Sequence, residues 1–199
     1  LEHAGDVVVE LGDEPGLTVR APEATMDRLT VDEVDGTIVL GIRGSSMWSG
    51  RVDYTLTVRS LDEVEVEGSG DVRADFAGAD EVTVEIDGSG DVQARNIDAR
   101  QVSVSIEGSG DVRLAGRADR GDYAVSGSGD IRAADLELRD GEAVLSGSGD
   151  IRIHATQTVD ARVDGSGDIF VSGPARVTRE VSGSGDVIGG EAGGPADAP

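Results

Sequence analysis

The sequence predicts an all-β fold: a right-handed parallel β-helix-like solenoid of about seven 18–20-residue coils, preceded by an N-terminal β-strand capping segment. Three observations carry this. Gly-Ser-Gly-Asp starts at Gly68, Gly88, Gly108, Gly127, Gly147, Gly165 and Gly183, at steps of 20, 20, 19, 20, 18 and 18 residues. Such a fixed period marks stacked repeats. Around each copy, apolar residues alternate with polar ones, the two-residue period of a strand with one buried face. No segment shows a sustained helical period.

The columns define the coil. Two residues before the first Gly stand Val66, Ile86, Ile106, Val125, Leu145, Val163 and Val181. Four residues after it stand Val72, Val92, Val112, Ile131, Ile151, Ile169 and Val187; six after it, Ala74, Ala94, Leu114, Ala133, Ile153, Val171 and Gly189. These columns predict the core, and β-branched residues dominate them, as strands prefer. The two Gly of each motif share the inward parity, where small residues let the backbone bend. A coil of this length has a perimeter of about 60 Å at roughly 3.3 Å per residue. Identical motifs in register are explained by stacking like on like rather than by a meander of hairpins, whose turns favour Asn-Gly or Asp-Gly. The right hand follows the preference of parallel crossovers.

Residues 1–60 lack the motif and read as strands at Val7 to Leu11, Leu17 to Arg20, Leu29 to Val34, Thr37 to Ile42 and Val52 to Val58. Asp35-Gly36 is a hairpin signal, and a loop runs through Trp48. This segment is expected to cover the first coil, because an open coil end exposes unpaired backbone. The solenoid is expected over 61–190, and 191–199 reads as a disordered tail by composition.

Composition narrows the function classes. The net charge is −23, and all 17 basic residues are Arg. Such a surface repels nucleic acid and anionic lipid, whose binding needs cations to displace counterions. High-salt adaptation and GC-rich coding both stay open as sources of this bias. No Cys is present, so disulfides and thiol chemistry are excluded. No apolar run approaches the roughly 20 residues of a membrane-spanning helix. The chain starts with Leu1 rather than Met, so a signal peptide or lipid anchor upstream stays open.

With the repeats placed, the chain resembles the putative auto-transporter adhesin head (GIN) domain family of extracytoplasmic bacterial proteins. Three stretches carry the resemblance: the opening Gly5-Asp6-Val7-Val8-Val9-Glu10-Leu11 strand with its paired strand, the serial Ser-Gly-Ser-Gly-Asp copies as at Ser126 to Asp130, and the closing run from Gly165 to Pro174. The resemblance implies a β-helix-like fold, an extracytoplasmic location and an adhesive or surface role. It supplies no catalytic residues.

The candidate chemistry is sparse. The motif aligns Asp71, Asp91, Asp111, Asp130, Asp150, Asp168 and Asp186. Unit charges about 5 Å apart repel by about 0.8 kcal/mol in water and about 3 at an effective dielectric of 20. The favoured reading is structural: each Asp accepts backbone N–H bonds at its corner, and Arg73, Arg113, Arg132 and Arg152, two residues on, neutralise the column. The alternative is a Ca²⁺ ladder, but the Gly-x-Gly-x-x-Asp spacing of nonapeptide repeats is absent. No cofactor is expected. The Ser column, Ser69 through Ser184, has no neighbouring His in sequence to act as a base. His3 and His154 are the only His, too few with no Cys for a zinc site.

The reading is therefore a non-enzyme: an interaction module for an unknown protein or glycan partner. The alternatives are a polysaccharide-active β-helix lyase or hydrolase, and the ectodomain of an envelope regulatory protein. Near-constant coil length leaves no long loops to build a cleft. One candidate contact stands out. In the column of Arg73, Gln93, Arg113, Arg132 and Arg152, the last two copies carry Phe170 and Ile188, an apolar pair expected to face outward for docking or homo-oligomer formation.

Overall fold

The computed structural model describes residues 1–44 and 51–192. The loop through Trp48 and residues 193–199 of the expected tail lie outside the described residues. The described residues form fourteen strands and one short helix. The first five strands are β1 (Asp6–Leu11), β2 (Gly16–Arg20), β3 (Leu29–Val34), β4 (Thr37–Ile42) and β5 (Asp53–Val58), with a single helical turn, α1 (Glu23–Met26), between β2 and β3. The repeats supply β6 (Glu63–Val66), β7 (Val72–Asp75), β8 (Glu81–Gly88), β9 (Val92–Gly108), β10 (Val112–Gly127), β11 (Ile131–Gly147), β12 (Ile151–Gly165), β13 (Ile169–Gly183) and β14 (Val187–Ala192).

The strands of the main sheet run in the order β14-β13-β12-β11-β10-β9-β7-β1-β5-β2, every pairing parallel except β5 with β2, and β6 and β8 continue the stack on a second face. Ser126 pairs with Ser146 and Gly127 with Gly147, so the motif stacks on itself in register. The result is a β-solenoid of about six turns. The seventh copy opens a coil that is described only as far as β14.

Register turns the sequence columns into core columns. Val66, Ile106, Val112, Ile131, Ile151 and Leu145 are all fully buried, as is Leu114 in the third column. Burying each such side chain contributes about 1.5–3 kcal/mol. Val181 departs from the expectation. It is 47% exposed, because β13 lies one layer from the end of the stack and the described part of the last coil does not reach over it.

The Gly-Ser-Gly corner has a steric cause. Gly147 has φ +146°, a region L side chains rarely adopt. A Cβ on Gly149 would sit 1.9 Å from the carbonyl oxygen of Gly129 in the preceding coil. The Ser between them is exposed throughout, and its amide donates to the first Gly carbonyl of the preceding coil, at 2.8 Å for Ser128 on Gly108.

The N-terminal segment differs from a simple cover. β1 does not pair with β2. It is inserted in parallel between β5 and β7, with Val7 opposite both Tyr54 and Val72. His3-Ala4-Gly5-Asp6 thus occupies the corner as a degenerate copy of the motif. Val7 donates to the Asp71 carbonyl at 2.7 Å, as Val72 does to Asp91 at 2.8 Å. β5 forms one more parallel layer, and β2 closes it as an antiparallel edge. β3 and β4 form a separate hairpin whose turn has positive φ at Asp35 and Gly36, as the hairpin signal predicts. At the other end, Glu191 and Ala192, expected in the tail, belong to β14.

Candidate binding face

The Asp column forms one continuous rail. The amide of each Asp donates to Oδ1 of the Asp one coil earlier: Asp91 to Asp71 at 3.2 Å, Asp111 to Asp91 at 2.9 Å, Asp130 to Asp111 at 3.1 Å, Asp150 to Asp130 at 2.8 Å, Asp168 to Asp150 at 3.1 Å and Asp186 to Asp168 at 2.8 Å. The neighbouring amides bond carbonyl oxygens of adjacent coils, whereas the Asp amide takes a side-chain acceptor. The carboxylate therefore supplies a backbone hydrogen bond where the corner breaks the regular ladder. The expectation of corner N–H donors meets a more specific arrangement: the donor belongs to the next coil, so the bond ties layers together.

Arg neutralises part of the rail. Arg132 bridges Asp111 and Asp130 at 2.6 and 2.8 Å, and Arg152 pairs with Asp150 at 2.9 Å. The hydrogen-bonded Asp111 carboxylate holds the Arg132 guanidinium above its ordinary pKa. Arg73 and Arg113 make no such pair among the described residues. Register extends the column beyond the seven motif copies to Asp6 and Asp53. There Arg51 bridges both carboxylates at 2.6 and 2.7 Å. Among the described residues, no group of three or more His, Cys, Asp or Glu is arranged to hold a metal ion.

Beside the rail runs the outward column of Arg73, Gln93, Arg113, Arg132, Arg152, Phe170 and Ile188. Register places Phe170 opposite Arg152 on one side and Ile188 on the other. The Arg152 guanidinium lies 4.7 Å from the Phe170 ring centroid, a cation–π contact that holds the ring against the face. Ile188 is 46% exposed. A cationic, amide-bearing and finally apolar strip thus runs along the axis.

The structure brings together one pair that sequence spacing hides. His154 Nδ1 lies 3.0 Å from Ser172 Oγ, across adjacent coils. Ser172 Oγ also donates to the Ile153 carbonyl at 3.1 Å. The Ser172 hydroxyl thus has two partners within reach, the carbonyl and the imidazole, and the pair lies on the exposed outer face. His3, at the other end, is buried, with Nε2 2.9 Å from the Tyr54 hydroxyl. Three open depressions of about 260–330 Å³ are lined by a mixture of charged, small and apolar side chains. None is an enclosed cleft.

Comparison with known proteins follows the same lines. No curated protein matches the chain. Among solved structures, a putative adhesin from Bacteroides fragilis NCTC 9343 superposes with a TM-score of 0.86 at 26% identity, covering 93% of this chain and 88% of that one. A putative lipid binding protein from Parabacteroides distasonis ATCC 8503 superposes at 0.75 with 24% identity, covering 94% and 89%. A putative adhesin from the same organism superposes at 0.70 with 22% identity, covering 94% and 90%. Residues 1–175 match the family described as putative auto-transporter adhesin, head GIN domain, and the chain, with its stacked corners and parallel coils, belongs to that family.

Proposed function

We propose that this chain is a non-catalytic extracytoplasmic module that adheres to a glycan or protein of a surface or envelope through the strip ending in Phe170 and Ile188. The observation that carries the reading is uniformity. Coil after coil repeats at 18–20 residues, with no inserted loops over the repeats to form a cleft. Enzymes gather reacting groups in a water-excluding pocket, whereas a flat, regular face suits a partner contacted over many coils. Family membership and the fold shared with the adhesin structures support the adhesive role.

The test is binding of the immobilised chain to glycan and envelope-protein panels, with mass spectrometry of the glycans after incubation. The expected result is retention of a partner, loss of at least tenfold in affinity with Phe170→Arg/Ile188→Arg, and no cleavage products. Shortened or unsaturated glycans would replace this reading with a lyase or hydrolase. Equal retention by the double variant would move the contact to another face.

A further inference from the structure

The inner row of Val64, Val84, Val104, Tyr123, Ala143 and Ala161 is buried in every coil. Its next member, opposite Ala161, is Arg179, which is exposed. A charge therefore stands in an inward column only in the last layer that the column reaches. Arg179 Nη2 donates to the Gly189 carbonyl of β14, in the next layer on a different wall. Gly189 is the one copy without a side chain in the column that elsewhere holds Ala, Leu, Ile or Val. The guanidinium thus spans the mouth of the coil at the point where another layer would otherwise settle on the apolar interior.

The surroundings of Arg179 are those of an unfinished stack. Val181, the last member of an inward column that is otherwise buried, is 47% exposed, and no strand pairs with the outer edge of β14 among the described residues. The opposite end is closed by antiparallel β2, so a second copy cannot continue the parallel stack head to tail. The unpaired edge of β14 can instead meet the same edge of another copy about a two-fold axis, which pairs the two edges without continuing the parallel stack. In that arrangement the two Arg179 charges would be brought together and stripped of water, a costly placement for an unpaired cation. Inward-pointing charges are a known means of blunting exposed sheet edges.

We propose that the C-terminal end of the solenoid is a latent pairing surface for a second copy of this chain, and that Arg179 holds it shut. Sedimentation of the full chain from micromolar to near-millimolar concentration, with salt to screen the net charge of −23, tests this. The parent should keep the mass of one chain throughout. Arg179→Ala gives the row the residue it already has at Ala143 and Ala161, and should sediment as a concentration-dependent dimer. Arg179→Lys keeps the charge and should stay a single chain. Arg179→Ala/Val181→Arg returns a charge two residues along the same wall and should reverse the pairing. Circular dichroism checks each fold; should the alanine variant melt early, Arg179→Val, matching Val84 and Val104, replaces it.

A folded neutral variant that remains a single chain at every concentration overturns the proposal. So does a lysine variant that dimerises, or a parent that is already dimeric. A neutral variant that pairs only after removal of residues 193–199 also overturns it, because the cover is then that segment.

Discussion

The two ends of this solenoid are finished in opposite ways. At the N-terminal end, β1 and β5 add two parallel layers below the first motif copy, and β2 reverses direction to close them. Val52, Tyr54 and His3 are buried there, and the Tyr54 and His3 rings meet edge to face with centroids 5.6 Å apart. At the C-terminal end, inward Val181 remains about half exposed, and the Arg179 guanidinium bonds the Gly189 carbonyl of β14. Apolar packing finishes one end and a charge finishes the other. Interior coils need neither, since each has a neighbour on both sides.

The largest expected effect separates interior from end within one column. Ile106→Asp puts an unpaired carboxylate in a fully buried site and should abolish folding, read as loss of the cooperative melt. Val181→Asp makes a similar change at the open end and should cost less than about 0.5 kcal/mol. Gln93→Asp, on the outer face beside buried Val92, should also be mild. Comparable melting of the Ile106 and Val181 variants would erase the distinction drawn here.

Next in size is the N-terminal finish. Tyr54→Ala removes the ring that plugs the core below Val7 and should cost about 3–5 kcal/mol, the range for large aromatic truncations in cores. Arg179→Ala, at the other end, should leave the melt within about 0.5 kcal/mol of the parent. Equal losses would mean that both ends are held by packing.

The rail that both ends terminate is tested in the middle. Asp130→Ala leaves the Asp150 amide without its acceptor and should cost about 1–3 kcal/mol by chemical denaturation. Asp130→Asn keeps an acceptor oxygen and should cost much less. A Ca²⁺ ladder would predict comparable losses for the two variants and a melting temperature that falls with chelator.

A smaller effect has the opposite sign. Among the described residues the buried Tyr123 hydroxyl has no hydrogen-bond partner, its ring is folded over Gly121, and burial drives its pKa far above the ordinary value. Tyr123→Phe should therefore stabilise the interior by about 1 kcal/mol. A destabilised phenylalanine variant would show that the hydroxyl is satisfied in solution.

The smallest effect distinguishes the ends by pH. Burial lowers the pKa of His3 below its ordinary value. The folded chain then keeps His3 neutral at a pH where the unfolded chain has begun to bind a proton. Its contribution is fully present above the unfolded pKa of about 6.5 and is lost as pH falls below it. His3→Gln should flatten that part of the stability profile, whereas Arg179→Gln should leave its shape unchanged between pH 5 and 7.5.

The sequence made the interior legible because each coil repeats the same physical problem. The second Gly of each motif must admit the backbone of the preceding coil, and the Asp must accept an amide from the next, so both recur visibly. The ends carry the same geometry with less of the same wording. His3-Ala4-Gly5-Asp6 keeps only one Gly and the Asp, because the layer beneath it is β5 rather than another motif coil. Val52 and Asp53 keep only the Asp. Alternation marks β2 as a strand, but its direction depends on which partner the chain returns to, and no local pattern records that. Arg179 is likewise unremarkable in sequence and acquires meaning only when register puts it opposite Ala161. The outward Phe170–Ile188 column, by contrast, was readable from spacing, whereas its contact with Arg152 required the coils to be stacked.

Coil-by-coil bonding also dictates how the chain behaves as a load-bearing element. Pulling on the C-terminus concentrates force on the last layer, whose bonds to β13 must open before any deeper layer feels the strain. Rupture is then a zipper rather than a shear, and each coil released pays out about 60 Å of contour at roughly 3.3 Å per residue. A tether of this construction lengthens in steps and retains its folded remainder, so an adhesive contact anchored through it would yield gradually under drag instead of failing at once.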